Sequence, residues 1–214
     1  MSGRSPRPLT QRSIIQLADR SLQRVDFDPL TFRPEDLLWL PHHARLTGCA
    51  RKRQSEHLAG RIAAVYALRE VGETEVPAIG DQRQPLWPPP WYGSISHCER
   101  SALAVVSVRP IGVDIERILT PDLAAELESC IINSAEKSLL DASGLGPELA
   151  LTLAFSAKES AFKAIHPDVQ AGVGFSDFTL AYIKEGNLLL RLSAGEYRLQ
   201  WIKAGDYVIT LCAA

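Results

Sequence analysis

The chain has no paired cysteines, no long apolar run, no marked excess of charge and no internal repeat, and each absence removes a class of protein. Its four cysteines, Cys49, Cys98, Cys130 and Cys212, are far apart and form no CxxC pair. That spacing supports neither a zinc site nor a disulfide framework and suits thiols in a reducing cytoplasm. No stretch of about 18 apolar residues occurs, so no segment reads as a membrane-spanning helix. The start, MSGRSPRPLTQRS, lacks the apolar centre of a signal peptide, and Arg4, Arg7 and Arg12 read there as part of a solvated terminus. The formal net charge of −2 argues against a nucleic-acid binder held by bulk electrostatics, so an anion site must come from local clustering of basic residues. With 46% hydrophobic and 22% charged residues in 214, the composition is ordinary for a globular protein, so disorder is not the default reading, and it fits one large domain or two small lobes, with no need of a staple.

The pattern along the chain is mixed α and β. Ile14–Leu17 and Leu22–Phe27 predict a hairpin. Leu37–Leu40 is a brief apolar run closed by Pro41. From about Gln54 to Glu70, Leu58, Ile62, Val65 and Tyr66 fall at helical spacing. Residues 77–92, ending in Pro88-Pro89-Pro90, predict a rigid loop. Strands are expected at Gly93–His97, Ala102–Val108 and Ile111–Glu116. Helices are expected near 121–131, 134–142 (with Ser134 as cap) and 147–165. The alternation from Phe178 to Cys212 predicts a three-strand antiparallel meander. Each half thus offers strands and one long helix, with a boundary near Pro110 dividing an N-terminal lobe, 1–110, from a C-terminal lobe, 111–214.

Four segments carry chemistry. In Ile111-Gly112-Val113-Asp114-Ile115-Glu116, strand alternation puts Asp114 and Glu116 on one face, about 7 Å apart, where two carboxylates can hold a hard cation. An edge strand with a solvated acidic face fits the same pattern. In Phe155-Ser156-Ala157-Lys158-Glu159-Ser160-Ala161-Phe162-Lys163, a helix brings Phe155, Glu159, Phe162 and Lys163 to one side. The two phenylalanines would turn the Glu–Lys pair toward the protein, although an ordinary surface pair reads the same way. Arg53, His57 and Arg61 recur at i, i+4 and i+8, drifting only about 80° around a helix. Such a stripe can bind phosphate, or can be a solvated basic face. Ser96 and His97 stand at a strand end before a turn, where a histidine can meet a phosphate. Cys98 and His97 are neighbours in that strand and point to opposite faces, which excludes a Cys–His nucleophile.

In combination these motifs resemble the 4′-phosphopantetheinyl transferase superfamily, in its larger, two-lobed monomeric type. The order is a basic helix with Gly60-Arg61, then Ser96-His97-Cys98, then Gly112-Val113-Asp114-Ile115-Glu116, then Phe155 to Lys163. Phe155 stands where many relatives carry tryptophan. The resemblance implies an α+β fold of two similar lobes with pseudo-twofold symmetry and coenzyme A in the cleft between them. It implies Mg²⁺ on Asp114, Glu116 and Glu159. It also implies nucleotide contacts from Arg53, Arg61, Arg83, Ser96 and His97, and pyrophosphate contacts from Lys158 and Lys163.

The reaction so implied is attack of a carrier serine on the phosphate nearest the pantetheine, expelling 3′,5′-adenosine bisphosphate. Glu159 would act as general base, directly or through a bound water, and Lys163 would stabilise the charge that develops. The expected partners are coenzyme A and the apo aryl and peptidyl carrier proteins of a catechol-siderophore synthetase. No nucleic acid is expected. The expected location is cytoplasmic, with peripheral membrane association left open. A broad-range transferase, a non-catalytic coenzyme A- or carrier-binding protein, and a Mg²⁺-dependent nuclease or phosphodiesterase are the competing readings.

Overall fold

A computed structural model describes residues 10–166, 170, 172–193 and 195–213. The described residues form two compact units, one running to Gln16 and then from Arg20 to Val108, the other made of Leu17–Asp19 and the chain from Arg109 onward.

The first unit begins with a hairpin, β1 (Thr10–Leu17) and β2 (Arg20–Phe27). Its tight turn places Ala18 and Asp19 at φ of 55° each, the left-handed pair that matches the twist of a two-residue hairpin loop. The run at Leu37–Leu40 lies in a 3₁₀ turn, Pro34–Trp39. Helix α1 spans Arg51–Glu70 and starts three residues before the periodic apolar pattern, because Arg51, Lys52 and Arg53 extend a helix without contributing to that pattern. The proline-rich stretch carries a two-residue ribbon, β3 (Ala78–Ile79) and β4 (Pro85–Leu86), which the loop expectation missed. Strands β5 (Tyr92–Cys98) and β6 (Ser101–Ser107) complete a sheet of order β1-β2-β6-β5. Helix α1 packs across β2, β5 and β6, burying Leu58, Ile62 and Ala63 against Val25, Ala102 and Ala104. A Cβ on Gly60 would stand 2.8 Å from Ile95 Cγ2, so glycine at that position sets how closely α1 approaches β5.

The second unit opens with β7 (Ile111–Arg117), followed by α2 (Pro121–Ile131), α3 (Ser134–Asp141) and α4 (Pro147–Lys163). The cap of α3 is Asn133, not Ser134. Its Oδ1 accepts from Ala135 N and Glu136 N, and Glu136 Oε2 accepts from Asn133 N at 2.9 Å, a reciprocal capping box.

The tail forms four strands rather than three: β8 (Thr179–Lys184), β9 (Asn187–Leu192), β10 (Gly195–Ala204) and β11 (Tyr207–Ala213). The sheet order is β7-β11-β10-β9-β8, and every neighbouring pair is antiparallel. Helix α4 lies across β7 and β11 and reaches β9 and β10. Its Leu153, Ala154, Ala157 and Ala161 share a core with Phe178, Leu190, Leu199 and Val208. A Cβ on Gly112 would fall 1.9 Å from Ser160 O, so only glycine lets α4 lie this close to β7. That contact brings the acidic strand and the glutamate-bearing helix together.

Candidate active site

In the first unit the basic stripe is not a solvated face. Arg53 is exposed, but His57 and Arg61 are 9% and 4% exposed. Arg61 donates from Nε to Pro77 O at 2.8 Å and from Nη2 to Ala78 O at 3.1 Å, so it carries its charge inward while holding the strand of loop before β3. Burial, and then Arg53, lower its pKa to about 10, which leaves it charged at neutral pH.

Arg53 Nη1 lies 3.0 Å from His97 Nε2. A guanidinium only donates, so Nε2 accepts and the imidazole proton sits on Nδ1, 3.9 Å from Glu56 Oε2. His42 and His57 meet through their Nε2 atoms at 3.0 Å, edge to face, so the pair shares one proton between two acceptors. Burial, followed by Arg61, His42, Arg53 and His97, pushes the His57 pKa down to about 3. His42 is lowered by burial and by Arg61, Arg45 and His43. The result is a half-buried group of arginines and neutral imidazoles with Glu56 as the acidic member, a charge balance that suits an anion.

Two further residues expected to contact the nucleotide differ from this group in exposure and direction. Arg83 is exposed in the turn between β3 and β4, at φ 66°, with its amide donating to Gly80 O. Ser96 is 6% exposed and follows the strand alternation, so its hydroxyl leaves β5 on the face opposite His97. Ser96 and His97 therefore cannot present their side chains to one ligand from the same side of the sheet.

In the second unit, β7 carries Gly112, Asp114 and Glu116 on the face toward α4. Asp114 is 2% exposed, while Glu116 is half-buried near the strand end. Asp114 Oδ2 accepts from Ser156 Oγ at 2.8 Å and Oδ1 accepts from Lys163 Nζ at 2.7 Å. Lys163 also donates to Val113 O at 3.2 Å. On α4, Phe155, Glu159, Phe162 and Lys163 form the half-buried side that helical spacing predicts. Burial raises the Glu159 pKa, with Lys163 opposing and Asp114 adding to the rise. A carboxyl so poised is a better proton acceptor than an ordinary one.

Lys158 corrects the expectation of a pyrophosphate ligand. It is 2% exposed, and its Nζ donates to Ile131 O at 2.7 Å and pairs with Glu136 Oε1 at 2.9 Å. Glu136, 1% exposed, also accepts from Leu180 N and Asn133 N. The ammonium points into the fold because residue 158 lies on the α4 face toward α3 and β8. Its charge is neutralised there and ties α4 to the end of α2, the start of α3 and the edge of β8.

The metal expectation needs a similar adjustment. Among the described residues no three His, Cys, Asp or Glu side chains converge as a ready cage. Asp114, Glu116 and Glu159 occupy facing sides of β7 and α4, but the Lys163 ammonium is inserted at Asp114. Hard carboxylate oxygens on these two elements fit Mg²⁺ of the kind completed by ligand phosphates and water, since that ion rarely takes an all-protein cage.

Sequence reasoning missed Ser156, Ser160, Thr210, Glu136, His42 and Glu56. The Asn133-x-x-Glu136 spacing was a readable capping box, and Ser156 and Ser160 are one helical turn apart. Thr210 carries no signal until the strand register is known.

Comparison with known proteins covers both halves. Residues 42–107 match the model of the 4′-phosphopantetheinyl transferase N-terminal domain, and residues 110–212 match that of the 4′-phosphopantetheinyl transferase superfamily. The chain is 51% identical over 203 residues to enterobactin synthase component D of Escherichia coli O157:H7, covering 95% of this chain and 98% of that protein. It is 48% identical over 214 residues to enterobactin synthase component D of Salmonella typhimurium, covering 96% and 91%. It is 30% identical over 156 residues to the 4′-phosphopantetheinyl transferase PptT of Mycobacterium tuberculosis, covering 70% and 67%.

Proposed function

The chain belongs to the 4′-phosphopantetheinyl transferase superfamily, and from that membership we propose that it moves the phosphopantetheine arm of coenzyme A onto a serine of an apo carrier protein. The similarity to enterobactin synthase component D points to aryl and peptidyl carriers of siderophore assembly as acceptors. The observation that carries the chemistry is the meeting of Asp114, Glu159 and Lys163 where α4 lies against β7: a buried carboxylate, a carboxyl with a raised pKa and an ammonium.

In this reading Glu159 accepts the proton of the carrier serine as its oxygen attacks the phosphorus nearest the pantetheine. The bond to the second phosphate breaks, and 3′,5′-adenosine bisphosphate departs with the electron pair. Lys163, which joins Asp114 in the resting site, faces the charge that gathers on the phosphoryl oxygens. Asp114, Glu116 and Glu159 would hold Mg²⁺, which neutralises pyrophosphate charge when bound. Arg53 and His97 take the nucleotide phosphates, with Arg61 setting the positive potential behind them and Arg83 adding an exposed cation.

The test is to incubate the protein with coenzyme A, Mg²⁺ and a panel of apo carriers and to weigh each carrier. A gain of one phosphopantetheine on aryl and peptidyl carriers is expected. No gain on any carrier overturns the activity, and equal gains on fatty-acid carriers overturn the siderophore assignment.

A further inference from the structure

Thr210 of β11 lies directly across from Asp114 of β7 in the antiparallel register, so both side chains leave the sheet on the face that α4 covers. Thr210, Ser156 and Ser160 are all fully buried. Thr210 Oγ1 is 2.6 Å from Ser160 Oγ and 2.9 Å from Ser156 Oγ, and Ser156 Oγ is 2.8 Å from Asp114 Oδ2.

Counting assigns the first proton in this cluster and limits the others. A carboxylate only accepts, so the single Ser156 hydroxyl proton goes to Asp114. Toward Thr210, Ser156 can then only accept. The Thr210 proton has three acceptors in reach: Ser156 Oγ, the Ser156 carbonyl, also at 2.9 Å, and Ser160 Oγ. When that proton is on Ser156, Thr210 Oγ1 accepts from Ser160, whose hydroxyl also lies 3.0 Å from Thr210 O. With Thr210 donating to Ser156 Oγ and Ser160 to Thr210 Oγ1, the dipoles run one way, from Ser160 through Thr210 and Ser156 to Asp114. A chain aligned like this polarises each bond in turn, which strengthens the hold on its terminal acceptor in a dry site.

We propose that this hydroxyl chain is the positioning device for the Asp114 carboxylate and that Thr210, which touches neither Lys163 nor Glu159 in any contact described above, is its central member. The chain fixes Oδ2 from the α4 side while Lys163 holds Oδ1, so the carboxylate has one orientation before any ligand arrives. The inference rests on the reading of Asp114 as a metal-side carboxylate.

The test compares full-length wild type, Thr210→Val and Thr210→Ser for Mn²⁺ binding in the presence of coenzyme A, read from the free Mn²⁺ signal by electron paramagnetic resonance, with thermal melts alongside. Thr210→Val keeps the shape and removes the hydroxyl. It is expected to weaken Mn²⁺ binding about 10- to 100-fold, the range for losing an outer partner of a metal ligand. Thr210→Ser, which keeps the hydroxyl, is expected to stay close to wild type. Wild-type Mn²⁺ affinity in Thr210→Val overturns the proposal, whatever its melting temperature. Should Thr210→Val not fold, Ser160→Ala removes only the donor to Thr210, and a weakening of severalfold is expected there; unchanged affinity again overturns it. Failure of the wild type itself to bind Mn²⁺ with coenzyme A present overturns the metal reading of Asp114, and this inference with it.

Discussion

Lys163 Nζ stands 2.7 Å from Asp114 Oδ1, joining the last residue of α4 to the centre of β7. Asp114 is buried and Lys163 partly exposed, so the pair has one partner fixed in the fold and one able to turn toward a ligand. This arrangement explains why the carboxylates do not form a closed cage: the ammonium holds the place of positive charge beside Asp114.

Asp114→Asn keeps the volume and the Ser156 contact but removes the charge that Lys163 and a divalent ion would share. Transfer to a carrier should fall by about 10²- to 10³-fold, the scale of losing one electrostatic contact in a closed site, with the far-UV spectrum and cooperative melt retained. Turnover in purified Asp114→Asn equal to wild type would falsify its place in the site.

The Glu136–Lys158 pair makes a different prediction because it lies inside the fold. Lys158→Met leaves the Glu136 carboxylate buried without its cation, a change that costs about 3–5 kcal/mol when a buried pair is broken. Glu136→Gln combined with Lys158→Met removes both charges while keeping an acceptor for one of the Leu180 and Asn133 amides, which donate to different Glu136 oxygens, and should recover part of that loss in urea unfolding. If Lys158 were instead a pyrophosphate ligand, Lys158→Met would raise KM for coenzyme A and leave stability unchanged.

Much of this arrangement is legible in the sequence because it depends on local periodicity. Alternation alone puts Asp114 and Glu116 on one face, and helical spacing alone puts Glu159 and Lys163 on one side of α4. What periodicity cannot supply is the partner. Lys158 and Glu159 are adjacent in the same motif, yet one is neutralised by Glu136, 22 residues earlier on a separate helix, while the other borders Asp114. Thr210 enters only through the β7–β11 register, and Gly112 reads as an ordinary strand glycine until Ser160 O is seen against it. The fourth tail strand needs no hidden partner: Gly186, Gly195 and Gly205 stand at three junctions, which bound four runs, so the expectation of three strands undercounts its own breaks.

His57 should make the first unit sensitive to acid. Its folded pKa, about 3, lies below its ordinary value of 6.5. Above pH 6.5 the residue is neutral in both states and its contribution is fully present. As the pH falls from 6.5 toward 3 the unfolded chain takes up a proton that the native chain refuses, so stability declines. His57→Gln, which keeps a polar group facing His42, should flatten urea-derived stability against pH in that window by close to one bound proton. An unchanged slope would show that His57 is already protonated in the native state.

Glu159 has the opposite sign. Its folded pKa is raised above the ordinary 4.5 by burial, with Lys163 opposing and Asp114 assisting the rise. Below pH 4.5 the carboxyl is protonated whether folded or not. From 4.5 up to the raised folded value the unfolded chain ionises first, so the native state loses stability as pH increases, and above that value the loss is constant. Glu159→Gln cannot ionise and should therefore be more stable than wild type at neutral pH, with the advantage vanishing near pH 4.5. The same substitution removes the proposed proton acceptor, so transfer should be lost while stability is gained, the trade expected where a site keeps a strained charge for its chemistry. Lys163→Met separates the two effects: without the opposing ammonium the Glu159 pKa rises further, and the acid limb of the residual transfer rate should move to higher pH. An acid limb that stays in place in Lys163→Met would mean that some other group accepts the serine proton.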